Sequence, residues 1–246
     1  MTFLENRLFD PATDDGRQKL EYTRRLLQFW EQCTGTPFWS VRQQLKDLAH
    51  ASWKQVHAVD EIVLHADFDA TVGEQFAAND RILFVDDDDW IAPDAFERLD
   101  DLASRTKYGV IWGRARFDGL WQWLEIHGGP ITVYTNNYLV LAGSIAGLRL
   151  ADAMQHSTLQ AMYAAGTWQP LELSDCGLTV TNKSPCSWNY LHQPMQSSHP
   201  VEEFNRRLDQ YAHARFDRDD RVAWAHPLAT ASQQVFQTIA AARPKP

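Results

Sequence analysis

Apolar residues near the start of the chain recur at the spacing of amphipathic helices. In the segment 17–30 they follow a turn-rich stretch at near-helical intervals, and the segment 38–49 repeats the spacing. The residues of these two stripes are Leu20, Leu26, Leu27 and Trp30, and then Phe38, Val41, Leu45 and Leu48. The pattern therefore predicts two helices at the start of the chain.

After residue 60 the pattern changes to short continuous apolar runs, which are typical of buried strands. The runs fall at 61–65, 81–85, 108–112, 131–134, 138–141 and 178–181. Between them, Pro93 opens a helical segment, and a second helix is expected over 148–165, ending at Gly166. Short Val- and Ile-rich runs alternating with helices favour an α/β fold with a mostly parallel central sheet, flanked by helices.

The C-terminal region again shows helical patterning, over 201–212 and from about residue 228. We find no repeat and no change of composition that divides the chain. The sequence therefore predicts a single domain over residues 1–246, with a core at about 55–195 and helical additions at both ends, the C-terminal one at about 200–246.

Composition narrows the class of protein. The chain has 246 residues, of which 44% are hydrophobic, so it can bury a sizeable core. The net charge of −9 argues against a nucleic-acid partner, because that binding needs clustered Lys and Arg. The 3 cysteines lack CxxC spacing, so a cysteine-based zinc site is not expected. The uncharged run 128–148 contains Pro130 and 2 adjacent asparagines, which do not suit a membrane-spanning helix. We expect a cytoplasmic protein with no transmembrane segment.

Four consecutive carboxylates, Asp86–Asp89, follow the apolar run 82–85 and precede Pro93. Open α/β sheets bind ligands at the carboxyl ends of their strands. Side chains alternate along an extended backbone, so Asp86 and Asp88 are expected to converge on one point. Clustered carboxylates repel one another unless a cation lies among them, and their oxygens favour Mg²⁺ or Mn²⁺. The alternative is a solvated acidic turn that caps the following helix.

This stretch resembles the hydrophobic-strand, Asp-x-Asp-Asp, x-x-x-Pro signature of GT-A-fold glycosyltransferases, with Asp86, Asp88 and Asp89 on the acidic positions. In that family the motif holds a divalent metal bound to the diphosphate of a nucleotide-sugar and contacts the ribose. The segment 154–166 is similar to the helix that follows the catalytic acid. The segment 187–193 is similar to the late Trp-x-x-x-His of bacterial rhamnosyltransferase-like proteins, which places His192 on a metal-binding position.

The resemblance covers about half of the chain, roughly residues 62–193, and departs from the family at two places. The usual opening strand with a Pro-Thr-Tyr-Asn-like turn is missing, and only residues 2–9 stand in its place. Gln155 and His156 stand where many relatives carry Glu-Asp, which leaves the identity of the catalytic base open. The candidates are His156, Asp152 and Asp175. Histidine is a candidate because the unperturbed pKa of an imidazole lies near the working pH, which suits a general base.

The remaining roles follow from position and from the resemblance. Mn²⁺ or Mg²⁺ is expected on Asp86, Asp88 and His192, although a lone histidine is as often a structural residue. The residues expected to bind the nucleotide-sugar are Asp67, Asp69, Asp86, Asp87 and Asp89. Asp67 and Asp69 follow the run 61–65, and an ordinary turn is the alternative reading for them.

Together these features predict a metal-dependent glycosyltransferase that moves a sugar from a nucleotide-diphosphate donor to a hydroxyl acceptor, a glycan or another alcohol. Inversion of the anomeric centre is implied by the resemblance alone. Two alternatives remain. One is a non-catalytic carbohydrate- or Ca²⁺-binding module that uses the acidic stretch and the 10 tryptophans. The other is a phosphatase of the haloacid-dehalogenase type, in which Asp-x-Asp also ends a strand.

Overall fold

The structure is a computed structural model, and it describes residues 14–57, 68–124, 132–134, 136–174 and 177–244. The helices are α1 (Asp14–Thr34), α2 (Phe38–Trp53), α3 (Val72–Gln75), α4 (Ala95–Ala103), α5 (Leu150–Ala153), α6 (His156–Ala164), α7 (Trp188–Met195), α8 (Pro200–His213) and α9 (His226–Ala242). The strands are β1 (Arg81–Leu83), β2 (Trp90–Ile91), β3 (Gly109–Trp112), β4 (Arg114–Phe117), β5 (Trp121–Leu124), β6 (Tyr138–Leu141), β7 (Leu171–Leu173) and β8 (Thr179–Asn182). Short 3₁₀ helices lie at Ala142–Ser144 and Asp220–Ala225.

The chain groups into two compact units. The helical unit consists of Met1–Leu45, Lys183–Arg215 and Thr230–Pro246, and the sheet unit consists of Lys46–Asn182 and Phe216–Ala229. In the part of the chain that the structure describes, no helix is both long enough and apolar enough to cross a membrane.

An aromatic cluster forms the core of the helical unit. The fully buried ring of Trp30 in α1 lies edge-on to Phe38, Phe204 and Phe236, with ring centroids 5.6, 5.7 and 6.5 Å away. Large buried rings contribute most of the apolar area that a small helical unit removes from water. The helices predicted at both ends of the chain are confirmed, because their apolar stripes supply these rings.

Two four-stranded sheets form the sheet unit. The first has the order β1-β6-β3-β7, in which β6 is antiparallel to β1 and β3 while β7 is parallel to β3. Strands β1, β3 and β7 therefore run in the same direction and end at one edge. The second sheet has the order β2-β8-β4-β5. Strand β4 pairs with β8 in parallel, while the pairs β2–β8 and β4–β5 are antiparallel.

The α/β class is confirmed, but the prediction of one mostly parallel sheet is wrong for the described residues. Two of the six strand pairings are parallel and four are antiparallel. The apolar runs predict strands but carry no information on pairing. They could not show that β6 inserts between β1 and β3, or that β4 and β5 form a hairpin.

Individual elements also differ from the sequence pattern. The predicted strand at 81–85 ends at Leu83, and residues 132–134 form no strand. The predicted helix at 148–165 is divided into α5 and α6, because Gln155 has an extended backbone (φ −80°, ψ 105°). The predicted strand at 61–65 lies outside the described residues.

Candidate functional site

The four carboxylates form a turn between the two sheets, which we call the acidic turn (Asp86–Asp89). After β1 ends, the Asp89 N–H donates to the Asp86 carbonyl oxygen at 3.0 Å and closes the turn. Asp86 is exposed, whereas Asp88 is only 5% exposed. The stretch is therefore a turn and not an extended strand, and the convergence of Asp86 and Asp88 on one cation stays a prediction.

Asp89 anchors the acidic turn to the rest of the sheet unit. Its Oδ1 accepts a hydrogen bond from the Asn182 N–H at 2.8 Å, and its Oδ2 accepts one from the Asn136 side-chain amide. Its carbonyl oxygen accepts a hydrogen bond from the Trp53 indole N–H at 2.9 Å. These bonds satisfy a side chain that is 1% exposed, as a buried carboxylate requires. They give Asp89 a structural role, and its predicted role in nucleotide-sugar binding stays a prediction.

Asp87 has a different environment. Its Oδ2 lies 2.9 Å from the Lys46 ammonium nitrogen, and both side chains are partly shielded from water. This ion pair neutralises one of the four charges of the acidic turn. The carboxylates of the turn are therefore not equivalent: Asp87 is ion-paired, Asp89 is anchored, and Asp86 faces solvent.

Three buried polar residues and one partly buried tyrosine lie next to the turn, and we call them the Arg114 cluster (Arg114, Asn136, Thr181 and Tyr134). The Arg114 guanidinium lies 3.5 Å from the centroid of the Tyr134 ring, and its Nη1 donates to Thr181 Oγ1 at 3.2 Å. Asn136 Nδ2 donates to the same hydroxyl at 3.1 Å and also to Asp89. The cluster therefore connects β4, β8 and the acidic turn.

Asn136 holds the cluster in place with an unusual backbone. Its φ of +73° lies in the left-handed region, which asparagine adopts more readily than most other L-residues. In this conformation its N–H donates to the Phe84 carbonyl oxygen at 2.8 Å, just before the acidic turn. Asn136 thus fixes the chain both before and within the turn.

Arg114 is a buried cation, only 8% exposed. Burial lowers the pKa of its guanidinium, while Tyr134, Asp89 and Asp86 act in the opposite direction. A guanidinium remains charged in proteins even so. Its Nε is buried and has no hydrogen-bond partner among the described residues.

His156, a predicted catalytic base, contacts this cluster. It is exposed at the first position of α6, and its ring centroid lies 5.8 Å from that of Tyr134. One turn later, Gln160 Oε1 accepts a hydrogen bond from the Val133 N–H at 2.7 Å, which fixes α6 along residues 132–134. The structure therefore brings His156 and the acidic turn into one connected group through Tyr134, Arg114 and Asn136.

The other predicted residues of the sheet unit form a separate group. Asp152 accepts two hydrogen bonds from Arg149, at 2.8 and 3.1 Å. Hydrogen bonding to Asp152 raises the pKa of Arg149, and the charge of Asp69 acts in the same direction. Asp152 is therefore bound to Arg149, and the predicted role of Asp69 in nucleotide-sugar binding stays a prediction. Asp67 and Asp175 lie outside the described residues.

His192 belongs to the helical unit, on α7. Its Nδ1 is hydrogen-bonded to the Tyr22 hydroxyl, and its Nε2 lies 2.9 Å from Gln196 Nε2. Both ring nitrogens therefore have partners within this unit. The prediction that His192 binds a metal stays a prediction.

The donor set of the acidic turn suits one kind of metal site. Within the described ranges, no group of three or more His, Cys, Asp and Glu side chains is placed to hold a metal ion. The sequence-based prediction that Asp86 and Asp88 are metal ligands stays a prediction. Mg²⁺ is commonly held by one or two carboxylates together with substrate phosphates and water. Carboxylate oxygens are donors of the type that such a site uses.

Sequence patterns did not identify the Arg114 cluster as part of a site. Arg114 alternates with apolar residues in β4, which is typical of a surface-facing position, yet its side chain is buried. Asn136 stands in the long uncharged run 128–148. A polar residue within an apolar run was the available signal, because buried polar groups need partners.

The sheet unit thus brings together an exposed carboxylate, a buried guanidinium and an exposed imidazole. No family model matches the chain, and no curated protein or solved structure matches it either. The function must therefore be inferred from these groups and their contacts.

Proposed function

We propose that the protein is a metal-dependent glycosyltransferase that transfers a sugar from a nucleotide-diphosphate donor to a hydroxyl acceptor. The observation that carries the proposal is the connected path from the acidic turn through Arg114 and Tyr134 to His156. It supplies, within one unit, carboxylates for a divalent metal and a base for the acceptor.

The acidic turn would hold Mg²⁺ or Mn²⁺ through Asp86 and Asp88. A bound cation of this kind neutralises the diphosphate and the charge that develops on the departing nucleotide. Asp89, through its bonds to Asn182 and Asn136, keeps the turn in place before the donor arrives. Such preorganisation lowers the cost of forming the charged site during reaction.

His156 is the base that the structure favours. It is exposed and contacts the Arg114 cluster, whereas Asp152 is held by two hydrogen bonds from Arg149. A neutral imidazole accepts the proton of the acceptor hydroxyl as the new bond forms on the sugar, and the nucleotide leaves with its electron pair. Transfer with inversion requires one such base.

Ligand-linked stability tests the proposal. A ligand that binds only the folded chain at about a hundred times its Kd stabilises it by about 2.7 kcal/mol. For a domain of this size, that raises the Tm by about 5–10 °C. We expect a nucleoside diphosphate to produce this shift only with Mn²⁺ or Mg²⁺, and Asp86→Ala to abolish it. Asp101→Ala, which removes another exposed carboxylate of the sheet unit, is the matched control.

Other outcomes distinguish the alternative functions. A shift with Ca²⁺ alone would indicate a calcium-binding module, and a shift with free sugar alone a carbohydrate-binding module. Phosphate release from a generic phosphate ester would indicate a phosphatase. If no nucleoside diphosphate or nucleotide-sugar shifts the Tm with either metal, the glycosyltransferase proposal is wrong.

A further inference from the structure

Arg114 differs from the other arginines of residues 46–182. Each of those others lies within ion-pair distance of a carboxylate: Arg81 of Asp100, Arg98 of Asp94, Arg105 of Asp101, Arg116 of Asp118 and Arg149 of Asp152. Among the described residues, no carboxylate lies at that distance from Arg114, although its side chain is the most buried of the six.

Asp89, which is linked to Arg114 through Asn136 and Thr181, is already hydrogen-bonded to other groups. Both oxygens of Asp89 accept hydrogen bonds from other groups, the Asn182 N–H and the Asn136 amide. The described contacts of the Arg114 guanidinium are one neutral hydroxyl, Thr181, and the face of the Tyr134 ring. Neither carries a negative charge.

A buried cation without a close anion is costly. Burying an ion without a partner costs several kcal/mol, even after the surroundings relax. A neutral hydrogen bond and a ring contact return only part of that cost. Proteins retain such a group where a ligand supplies the missing charge, and the planar fork of arginine matches the oxygens of a phosphoryl group.

We propose that Arg114 is an anion-binding residue, which receives a phosphoryl group of the ligand beside the acidic turn, with Tyr134 fixing the plane of its guanidinium. We assign the phosphoryl group to the diphosphate of the nucleotide-sugar donor, and this assignment rests on the proposed function. Arg114 and a metal on the acidic turn then share the charge of the diphosphate.

The test compares Arg114→Met with Arg114→Lys and with the control Arg105→Met, which removes an exposed arginine that follows α4. For each protein, calorimetry measures the Kd of nucleoside diphosphates with Mn²⁺, of the matching nucleosides, and of pyrophosphate alone. We expect Arg114→Met to weaken diphosphate binding by about 10–100-fold, as loss of a charge-assisted hydrogen bond does. The nucleoside Kd should not change, and Arg105→Met should behave as the wild type.

The unliganded stability gives a second readout. Because Arg114→Met removes a buried charge that lacks a close anion, its ligand-free Tm should equal or exceed that of the wild type. A large loss of ligand-free Tm with unchanged diphosphate affinity would show that Arg114 is structural and overturn the inference. If Arg114→Met does not fold, the diphosphate affinity of Arg114→Lys tests the inference instead, because lysine keeps the positive charge but lacks the planar guanidinium. Unchanged diphosphate affinity in Arg114→Lys also overturns the inference.

Failure of the inference and failure of the proposed function are distinguishable. Equal diphosphate binding by wild type and Arg114→Met overturns the role of Arg114 and leaves the glycosyltransferase proposal standing. If the wild type binds no nucleoside diphosphate, the proposed function falls, and pyrophosphate alone decides for Arg114. Pyrophosphate binding that is lost in Arg114→Met supports the anion site, and absence of pyrophosphate binding to the wild type overturns it.

Discussion

The two sheets of the sheet unit differ in what they bury. In the first sheet the buried side chains are apolar, and β3 and β6 contribute Val110, Ile111, Trp112, Tyr138, Leu139 and Val140. In the second sheet, β4 and β8 bury Arg114, Thr179, Thr181 and Asn182 together with apolar residues. The first sheet depends mainly on packing, apart from contacts such as the Trp112 indole N–H that donates to Thr179 Oγ1 at 3.0 Å, whereas the second buries several groups that require hydrogen-bond partners. The two sheets therefore differ in how far their stability depends on buried hydrogen bonds.

The acidic turn lies where the chain passes from the first sheet to the second. Strand β1 leads through it to β2, and only Gly113 separates β3 from β4. The apolar sheet therefore provides a rigid base, and the polar sheet provides the chemical groups. Substitutions in the two sheets should consequently fail in different ways, and the following experiments test that difference from the largest expected effect to the smallest.

The largest effect is expected in the first sheet, from Gly109→Ala. Gly109 has φ +121°, and an added Cβ would lie 2.0 Å from the Leu139 carbonyl oxygen on the neighbouring strand. The backbone of β3 or β6 must move, so the free energy of unfolding should fall by more than about 4 kcal/mol. Urea unfolding measures this loss. Gly147→Ala is the control, because its Cβ would meet no atom within 4 Å, and a comparable loss there would contradict the explanation.

The next largest effect is expected in the polar region, from Asn136→Ala. The substitution removes the amide that donates to Asp89 and to Thr181, and it leaves a residue at φ +73° without the tolerance of asparagine. We expect the free energy of unfolding to fall by about 2–4 kcal/mol, because a buried carboxylate loses a donor. Asn136→Gly removes the same amide but suits the backbone, so it should regain about 1 kcal/mol. Equal losses in the two variants would show that the backbone carries no strain.

A reciprocal exchange of isosteric residues compares the two interiors directly. Val140→Thr places a hydroxyl in the apolar sheet, and Thr181→Val removes one from the polar sheet, where Arg114 and Asn136 donate to it. Both should lower the free energy of unfolding by about 1–3 kcal/mol, since each leaves a buried polar group without a partner. Only Thr181→Val should also weaken pyrophosphate binding. Weakened binding in Val140→Thr would contradict the division between the sheets.

The smallest effect is expected from an exposed ion pair of the helical unit, which serves as a reference for the buried charges. Hydrogen bonds from Arg206 and Arg207 lower the pKa of Glu203 from 4.5 to about 2. Because the folded-state pKa is lowered, the stabilisation is present above the unfolded value and is lost as the pH falls from 4.5 towards about 2. Glu203→Gln should therefore lower the Tm slightly near neutral pH and not at about pH 2. Glu202→Gln is the control, and a Tm difference that persists in acid would contradict this prediction.

The sequence predicted the elements that depend on local interactions and missed those that depend on contacts between segments far apart in the sequence. The helices α1, α2, α8 and α9 follow from apolar spacing, which is a local property. The pairing of β1 with β6 is set by contacts between distant segments, and a run such as Arg81–Val85 does not reveal them. The same run also concealed the turn, because the hydrogen bond that closes it competes with strand extension.

The candidate site was predicted in part, for the same reason. The acidic stretch was visible as a sequence motif, but its division into an anchored, a paired and an exposed carboxylate depends on Asn182, Lys46 and Asn136. Arg114 could not be selected from its alternating pattern, because burial of a charged residue is decided by tertiary packing. His156 and Asp152 were equal candidates in the sequence, and only their contacts separate them.

The hydrogen bond from the Asn182 N–H to Asp89 has a consequence for how the protein reaches its native state. It joins residues 93 positions apart, and β2 pairs with β8 over a similar separation. Contacts between distant segments form late, because the chain loses the entropy of closing a long loop before these contacts stabilise it. The acidic turn will therefore acquire its final shape only when β8 has docked, near the end of folding. A nascent chain that lacks β8 will carry the whole acidic motif and still lack the site.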